Sequence, residues 1–264
     1  MPEGIEVEIT RRKLEASLAR QRLRSIDILD KRLARSAPVS MPFNIRLNNI
    51  TRHGKVLLFN LENGKNFSLS LGMSGSILCQ DVNVASNNTK PRLVMNFENK
   101  KCSFFDVRRL GRFFYPGKIP IGWDILSHTT ELAAPKSFES VLSASVSPVK
   151  TLLMDQNKIA GIGNIYANEI LFEAQIRPLR RASSLSSKQK QYLWQAARKI
   201  LNQALELGGS SIKDFVHPDG QKGSFQRAFK VYAKKKSEPC PRCAKPLKVI
   251  QLNQRATIYC VCQK

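Results

Sequence analysis

Acidic residues are scarce in this chain. Asp and Glu total 20 against 43 Lys and Arg, a formal net charge of +23 over 264 residues. That imbalance points to a polyanionic partner, most simply nucleic acid; the bland alternative is a generally basic, ribosome-type protein. Long apolar runs are missing as well. None approaches ~18 residues, so no membrane span is expected, and the amino terminus lacks the apolar core of a signal peptide. No internal repeat or low-complexity tract is found. Cysteines number six. Cys79 and Cys102 stand alone and read as small buried hydrophobes. The other four crowd the carboxyl end, which suggests a reducing cytosol and a metal rather than a disulfide scaffold. With 42% hydrophobic residues, the length suffices for two domains and a substantial core.

The first ~130 residues pattern mostly as strand. A first helix carries Val7, Leu14 and Leu18 on its apolar face, and Leu23–Leu33 alternates loosely as a strand. Val56–Leu61 and Asn66–Leu71 flank Asn63-Gly64, a hairpin signal. Leu93–Phe97 and Ser103–Asp106 make a second hairpin around Asn99, and Asn83–Pro91 reads as a polar loop. A β-sandwich closed by the first helix is the expected result. Character changes near Ala134-Pro135, and the pattern is helical to about Gly209. Leu193, Ala197, Ile200, Ala204 and Leu207 form one face of a helix that Gly208-Gly209 stops. Val216–Gly223 is a polar loop, and Phe229–Lys264 a small β unit around the cysteines. The expected division is 1–134, 135–228 and 229–264.

Three stretches carry chemistry. If Met1 is removed, the nitrogen of Pro2 is a free secondary amine; α-amino groups titrate near ~8, so part of it is unprotonated at neutral pH. Glu3 is adjacent and Glu6 one helical turn on, which places a nucleophile beside a possible acid/base. The plainer reading is that Glu6 and Glu8 only cap the helix. In Asp155–Pro178, Gly161 and Gly163 allow a tight turn between two helices, and Asn164 opens the second. Backbone N–H groups at such a start suit a phosphate. Finally, Cys240-x2-Cys243 and Cys260-x-Cys262 are separated by sixteen residues. Four thiolates at such spacing predict one structural zinc ion, with a tight second knuckle because C-x-C is one residue shorter than usual.

The Asp155–Pro178 stretch closely resembles the helix–two-turn–helix of the formamidopyrimidine-DNA glycosylase family, which includes endonuclease VIII. The resemblance covers nearly the whole chain. Met1–Glu8 is similar to the family's amino-terminal nucleophile motif, and His53-Gly54-Lys55 to its catalytic lysine turn. Leu71-Gly72-Met73-Ser74-Gly75 and Asp106-Val107-Arg108-Arg109-Leu110-Gly111 resemble its two DNA-probing loops. Gln254-Arg255-Ala256-Thr257 with Tyr259-Cys260 resembles its zinc finger. The resemblance implies an α+β fold: an N-terminal β-sandwich with its helix, a helix–two-turn–helix domain and a C-terminal β-hairpin zinc finger. It implies a glycosylase with abasic-site lyase activity that flips a damaged base from duplex DNA. Pro2 attacks the sugar, forms a Schiff base and permits β- and δ-elimination. Glu3 serves as acid/base and Lys55 contacts phosphate. Met73, Arg108 and Leu110 fill the hole left by the flipped base, while Asn164 and Arg255 hold phosphates.

Some positions depart from the family pattern. Gly4 is similar to the endonuclease VIII branch. Leu110 replaces a usual Phe, Ser70 a common His, and Asn157 a frequent Lys, with Lys158 one place later. Ser210–Phe215, then Asp219-Gly220 and Gly223, resemble the lesion-capping loop of the formamidopyrimidine branch. Oxidised purines, 8-oxoguanine and formamidopyrimidines, are therefore the expected substrates. Oxidised pyrimidines are the alternative, and a non-catalytic damaged-DNA-binding relative is a further one. The expected partner is double-stranded DNA with oxidised bases or abasic sites, with no membrane, and the expected state is a monomer in the cytoplasm, at the nucleoid if bacterial.

Overall fold

The computed structural model describes residues 2–34, 40–82, 90–212 and 215–264. Met1, most of the Asn83–Pro91 loop, and Lys213 and Asp214 of the capping motif lie outside the described residues. Contacts group the chain into two units, Met1–Ile119 with Leu207–Gln226, and Pro120–Glu206 with Arg227–Lys264. The sequential division into 1–134, 135–228 and 229–264 differs from this grouping in one main respect. The segment after the long helix returns to the first unit, because Phe215 is buried in that unit's core.

In the first unit, α1 (Gly4–Leu18) precedes β1 (Arg22–Ile28), β2 (Ser40–His53), β3 (Val56–Leu61), β4 (Asn66–Ser70), β5 (Ser76–Asp81), β6 (Leu93–Phe97), β7 (Lys100–Phe105) and β8 (Arg112–Phe114). The strands are ordered β5-β7-β6-β1-β2-β3-β4-β8. Strand β2 pairs with β1 over Ser40–Arg46 and with β3 over Leu47–His53, so it passes from one layer of the sandwich to the other. Register slips at Leu23/Ser25 and Leu47/Asn49 mark the bend, as bulges do. Sequence periodicity does not reveal β2, because such a bend interrupts its alternation. Both expected hairpins form. Strand β1 stops at Ile28 rather than Leu33, since Asp30 opens a turn by accepting the Arg32 N–H at 3.1 Å. Val7, Leu14 and Leu18 of α1 are buried in the same core as Leu57, Phe59, Phe67 and Phe104.

One expectation is overturned here. Cys79 and Cys102 are not separate buried hydrophobes; they are cross-strand partners on β5 and β7 and are joined as a disulfide.

The second unit holds β9 (Trp123–Asp124), α2 (Lys136–Ser143), α3 (Val149–Met154), β10 (Ile159–Ala160), α4 (Asn164–Glu173), α5 (Ser187–Glu206), β11 (Lys248–Leu252) and β12 (Arg255–Tyr259). Leu193, Ala197, Ile200 and Ala204 of α5 are buried as expected, and Trp194 joins them. Leu207 is partly exposed and lies beyond the helix end. Trp194 packs with Phe138 and Trp123 and donates its indole N–H to Glu131. Strands β11 and β12 form an antiparallel hairpin beside the four cysteines. Among the described residues, no helix is long and apolar enough to cross a membrane.

Candidate functional site

The amino-terminal pole is built around a reciprocal cap. Glu3 precedes α1 in extended conformation and its carboxylate accepts the Glu6 N–H, while Glu6 Oε2 accepts the Glu3 N–H at 2.8 Å. Pro2, Glu3 and Glu6 are all buried. Glu6 does more than cap. Its Oε1 accepts both the N–H and the hydroxyl of Ser210, at 2.8 and 3.0 Å. This ties the Gly208–Gly209 turn, at φ +71° and +70°, to the start of the chain. Sequence reasoning did not connect Glu6 with Ser210; they are 204 positions apart and no local pattern links them.

Lys55 follows Gly54 (φ +57°) in the β2–β3 turn and is half-buried. Arg52 sets that turn, donating to the Gly54 carbonyl at 2.9 Å and to Glu8 at 3.1 Å. Glu8 also binds Arg11 and Arg12. Burial pushes its carboxyl up, but the Arg11 and Arg12 hydrogen bonds and the Arg11 and Arg52 charges hold it below its ordinary 4.5. Glu8 therefore joins the first turns of α1 to the turn that carries Lys55.

The two expected DNA-probing loops are locked together. Asp106, buried, accepts the Ser74 hydroxyl at 2.5 Å and the Gly111 N–H at 2.7 Å. Ser74 in turn accepts the Arg108 N–H at 3.0 Å. Gly72 sits at φ +65°, and a Cβ there would lie 2.6 Å from the Leu110 carbonyl carbon. Met73 is half-buried and Leu110 is 42% exposed, so neither is a core residue. Arg109 pairs with Asp30 at 3.3 Å. Arg108 is exposed and makes no ion pair among the described residues.

In the second unit, Gln156 staples the turn before α4. It donates to the Met154 and Ile162 carbonyls and accepts the Gly161 N–H. Gly163 is the N-cap and Asn164 the first helical residue. Asn168, one turn on, donates to the Asn164 carbonyl at 2.6 Å and accepts the Ile258 N–H at 2.9 Å. Lys150, buried, donates to the Ala256 carbonyl and the Thr257 hydroxyl. Helix α4 and the strand that begins at Arg255 are thus held in one register. Arg255 is exposed beside a cavity of about 300 Å³ that Lys150, Thr151 and Asn253 also line.

The four carboxyl-terminal cysteines converge, with every sulfur within 4.8 Å of the others. Cys243 and Cys260 are 3.4 Å apart, Cys240 and Cys262 4.0 Å. Sulfurs at ~2.3 Å from a tetrahedral centre lie about 3.8 Å from one another, so the set fits one metal ion. Burial raises the Cys240 thiol, but the Arg242 and Cys243 N–H groups outweigh it and bring it to about 7. Burial and the neighbouring thiols push Cys262 up to about 12. Glu169, missed by sequence reasoning because it sits inside a buried helix face, accepts the N–H groups of Lys230, Val231 and Tyr232. It fastens the chain that leads into the cysteine hairpin.

Two family models match, the formamidopyrimidine-DNA glycosylase N-terminal domain over residues 1–113 and the formamidopyrimidine-DNA glycosylase H2TH domain over 122–216. The formamidopyrimidine-DNA glycosylase of Thermus thermophilus is 37% identical over 275 residues, covering all of this chain and 98% of that protein. That of Hahella chejuensis is 34% identical over 279 residues, covering all of both. The crystal structure of the MutM (Fpg) protein from Thermus thermophilus matches with a TM-score of 0.86 and 34% identity over 99% of this chain and 98% of that one. The Lactococcus lactis Fpg bound to DNA containing an abasic site matches with a TM-score of 0.81 and 26% identity over all of both chains. On these matches and on its α+β fold, the chain belongs to the formamidopyrimidine-DNA glycosylase family.

Proposed function

We propose that this protein excises oxidised purines from duplex DNA and then cuts the abasic strand. The observation that carries the reading is the pairing of buried Pro2 with buried Glu3 at the capped start of α1, in a chain of this family. Once Met1 is removed, the Pro2 nitrogen attacks the anomeric carbon, the base leaves, and an iminium joins protein to sugar. The cation draws electrons from the sugar, so the C–H beside it is acidified and β- then δ-elimination release both phosphates. Glu3 delivers and removes the protons, and Lys55 neutralises phosphate charge. Arg108 pairs with the orphaned base while Met73 and Leu110 enter the stack. Asn164 and Arg255 grip the backbone phosphates. Cys240, Cys243, Cys260 and Cys262 hold one structural zinc ion, which orders the hairpin carrying Arg255. We assign catalysis to 1–134, DNA grip to 135–228, and the finger to 229–264. Double-stranded DNA with oxidised bases or abasic sites is the partner, and a monomer in the cytoplasm, at the nucleoid in a bacterium, is the working state.

Gly4, which fits the endonuclease VIII pattern, favours oxidised pyrimidines as a second reading. A panel of duplexes with 8-oxoguanine, a formamidopyrimidine and an oxidised pyrimidine separates the two. Borohydride added during reaction should leave a protein–DNA adduct that digestion maps to Pro2. A residue placed before Pro2 makes its nitrogen an amide with a delocalised lone pair. That variant should bind DNA yet neither excise nor nick; full activity in it would refute the scheme.

A further inference from the structure

The disulfide lies where it can act on both probing loops. Cys79 on β5 and Cys102 on β7 face each other directly. Each is three residues from the loop end of its strand, since β5 starts at Ser76 after the Met73 loop and β7 ends at Phe105 before the Arg108 loop. The Cys79 N–H turns away from β7 and donates to the Pro218 carbonyl at 2.9 Å. In an antiparallel ladder a residue sends its N–H and C=O to one side, so Cys79 and Cys102 form a non-hydrogen-bonded pair, the kind with the closest side chains. Strand β5 is also the sheet edge, and that same hydrogen bond docks the Pro218 segment on it.

Access is one-sided. Cys102 is fully buried, whereas Cys79 lines a cavity of about 330 Å³ with Lys13, Ala16, Ser17, Pro218 and Asp219. The Ser17 hydroxyl lies 4.0 Å from the Cys79 sulfur. A small disulfide can reach Cys79 first; the charged groups at the cavity, Lys13 and Asp219, are paired with each other.

We infer that Cys79 and Cys102 are a reversible thiol–disulfide site, worked by low-molecular-mass thiols and disulfides, whose bridge stiffens both probing loops. In oxidation the Cys79 thiolate attacks one sulfur of the small disulfide and expels the other half as a thiolate. Cys102, losing its proton to solvent, attacks the Cys79 sulfur and expels the second half. Two protein thiols become one disulfide, and two electrons pass to the reagent, which leaves as two thiols. The bridge itself stands on the strand geometry; only its effect on DNA rests on the enzymatic reading.

The test uses the full-length protein exposed to glutathione disulfide or to dithiothreitol. Alkylation and peptide mapping should show a 79–102 cross-linked peptide in the first case and two alkylated cysteines in the second. Amide exchange at Ser74, Arg108 and Gly111 should be more than twofold slower in the bridged form. A Cys79→Val, Cys102→Val double variant should exchange alike in both conditions. Separate alkylation after glutathione disulfide, an exchange ratio of twofold or less, or a redox response surviving in the double variant would each overturn the inference. An 8-oxoguanine duplex is assayed in parallel. If cutting is absent in both states, the enzymatic reading fails, while the peptide map and exchange ratio still decide the bridge.

Discussion

At the scale of single residues, the loops Leu71–Gly75 and Asp106–Gly111, proposed to probe DNA, are set by backbone constraints more than by the side chains they present. Gly72 adopts φ +65° against the Leu110 backbone. An alanine there incurs left-handed strain of roughly 1–2 kcal/mol and collides with main chain that cannot move aside. Gly72→Ala should lower Tm and weaken lesion excision more than cutting of a preformed abasic site; equal loss on both substrates would separate the loop from base flipping. Leu110 itself is exposed and tests the opposite kind of change. Base–aromatic stacking is worth roughly 1–3 kcal/mol, so Leu110→Phe should speed excision of a stacked, paired lesion and leave abasic cutting nearly unchanged. Single-turnover rates on the two duplexes give the answer.

At the scale of elements, two segments hang on one buried side chain each. His217 is 4% exposed, donates from Nε2 to the Gly208 carbonyl, and has no partner at Nδ1 among the described residues. Burial holds it below its ordinary 6.5; the Gly208 hydrogen bond, Asp219 and Glu6 oppose this, and Lys13 adds to it. The opened segment takes up a proton that the closed one refuses, so the closed form's stability is present above pH ~6.5 and falls as pH drops below it. Amide exchange around 215–224, corrected for intrinsic rate, should accelerate below that pH by up to about tenfold per unit, while β4 stays unchanged. A flat profile would remove His217 as the cause. In the second unit, Glu169 accepts three N–H groups. Glu169→Ala leaves the buried Val231 N–H and two partly buried N–H groups without their acceptor and should cost roughly 1–3 kcal/mol. Zinc loaded on the four cysteines should then be lost at lower chelator concentration. Glu173→Gln should do less, since Lys199 and Lys230 are substantially exposed partners.

At the scale of the whole molecule, the charge of +23 dominates. Binding to duplex DNA should weaken linearly with log salt, because each neutralised phosphate releases counterions. Arg255→Ala should reduce the steepness by about one unit and weaken all sequences alike, as a phosphate contact does. A slope unchanged from the parent protein would place Arg255 away from the backbone. Chelating the zinc proposed for the four cysteines should act in the same direction, through the hairpin that carries Arg255, and leave the proposed borohydride trapping at Pro2 intact once the duplex is supplied in excess.

The local signals were legible without a structure. Asn63-Gly64 marked a hairpin, the 3.6-residue face of α5 marked a buried helix, and the cysteine spacing marked four thiols that converge as a possible metal site, because each signal is carried by a short, regular pattern. The ordered motifs made the family readable for the same reason. What needed the tertiary structure was every relation made at long range. Strand β2 crosses both layers only because the sheet bends at its bulges. Glu6 meets Ser210, Glu169 meets residues 230–232, and Cys79 meets Cys102 only after the chain returns on itself. Composition can supply a buried carboxylate or a pair of thiols. Which donor or sulfur each one faces is decided by the packing that closes the loops between them.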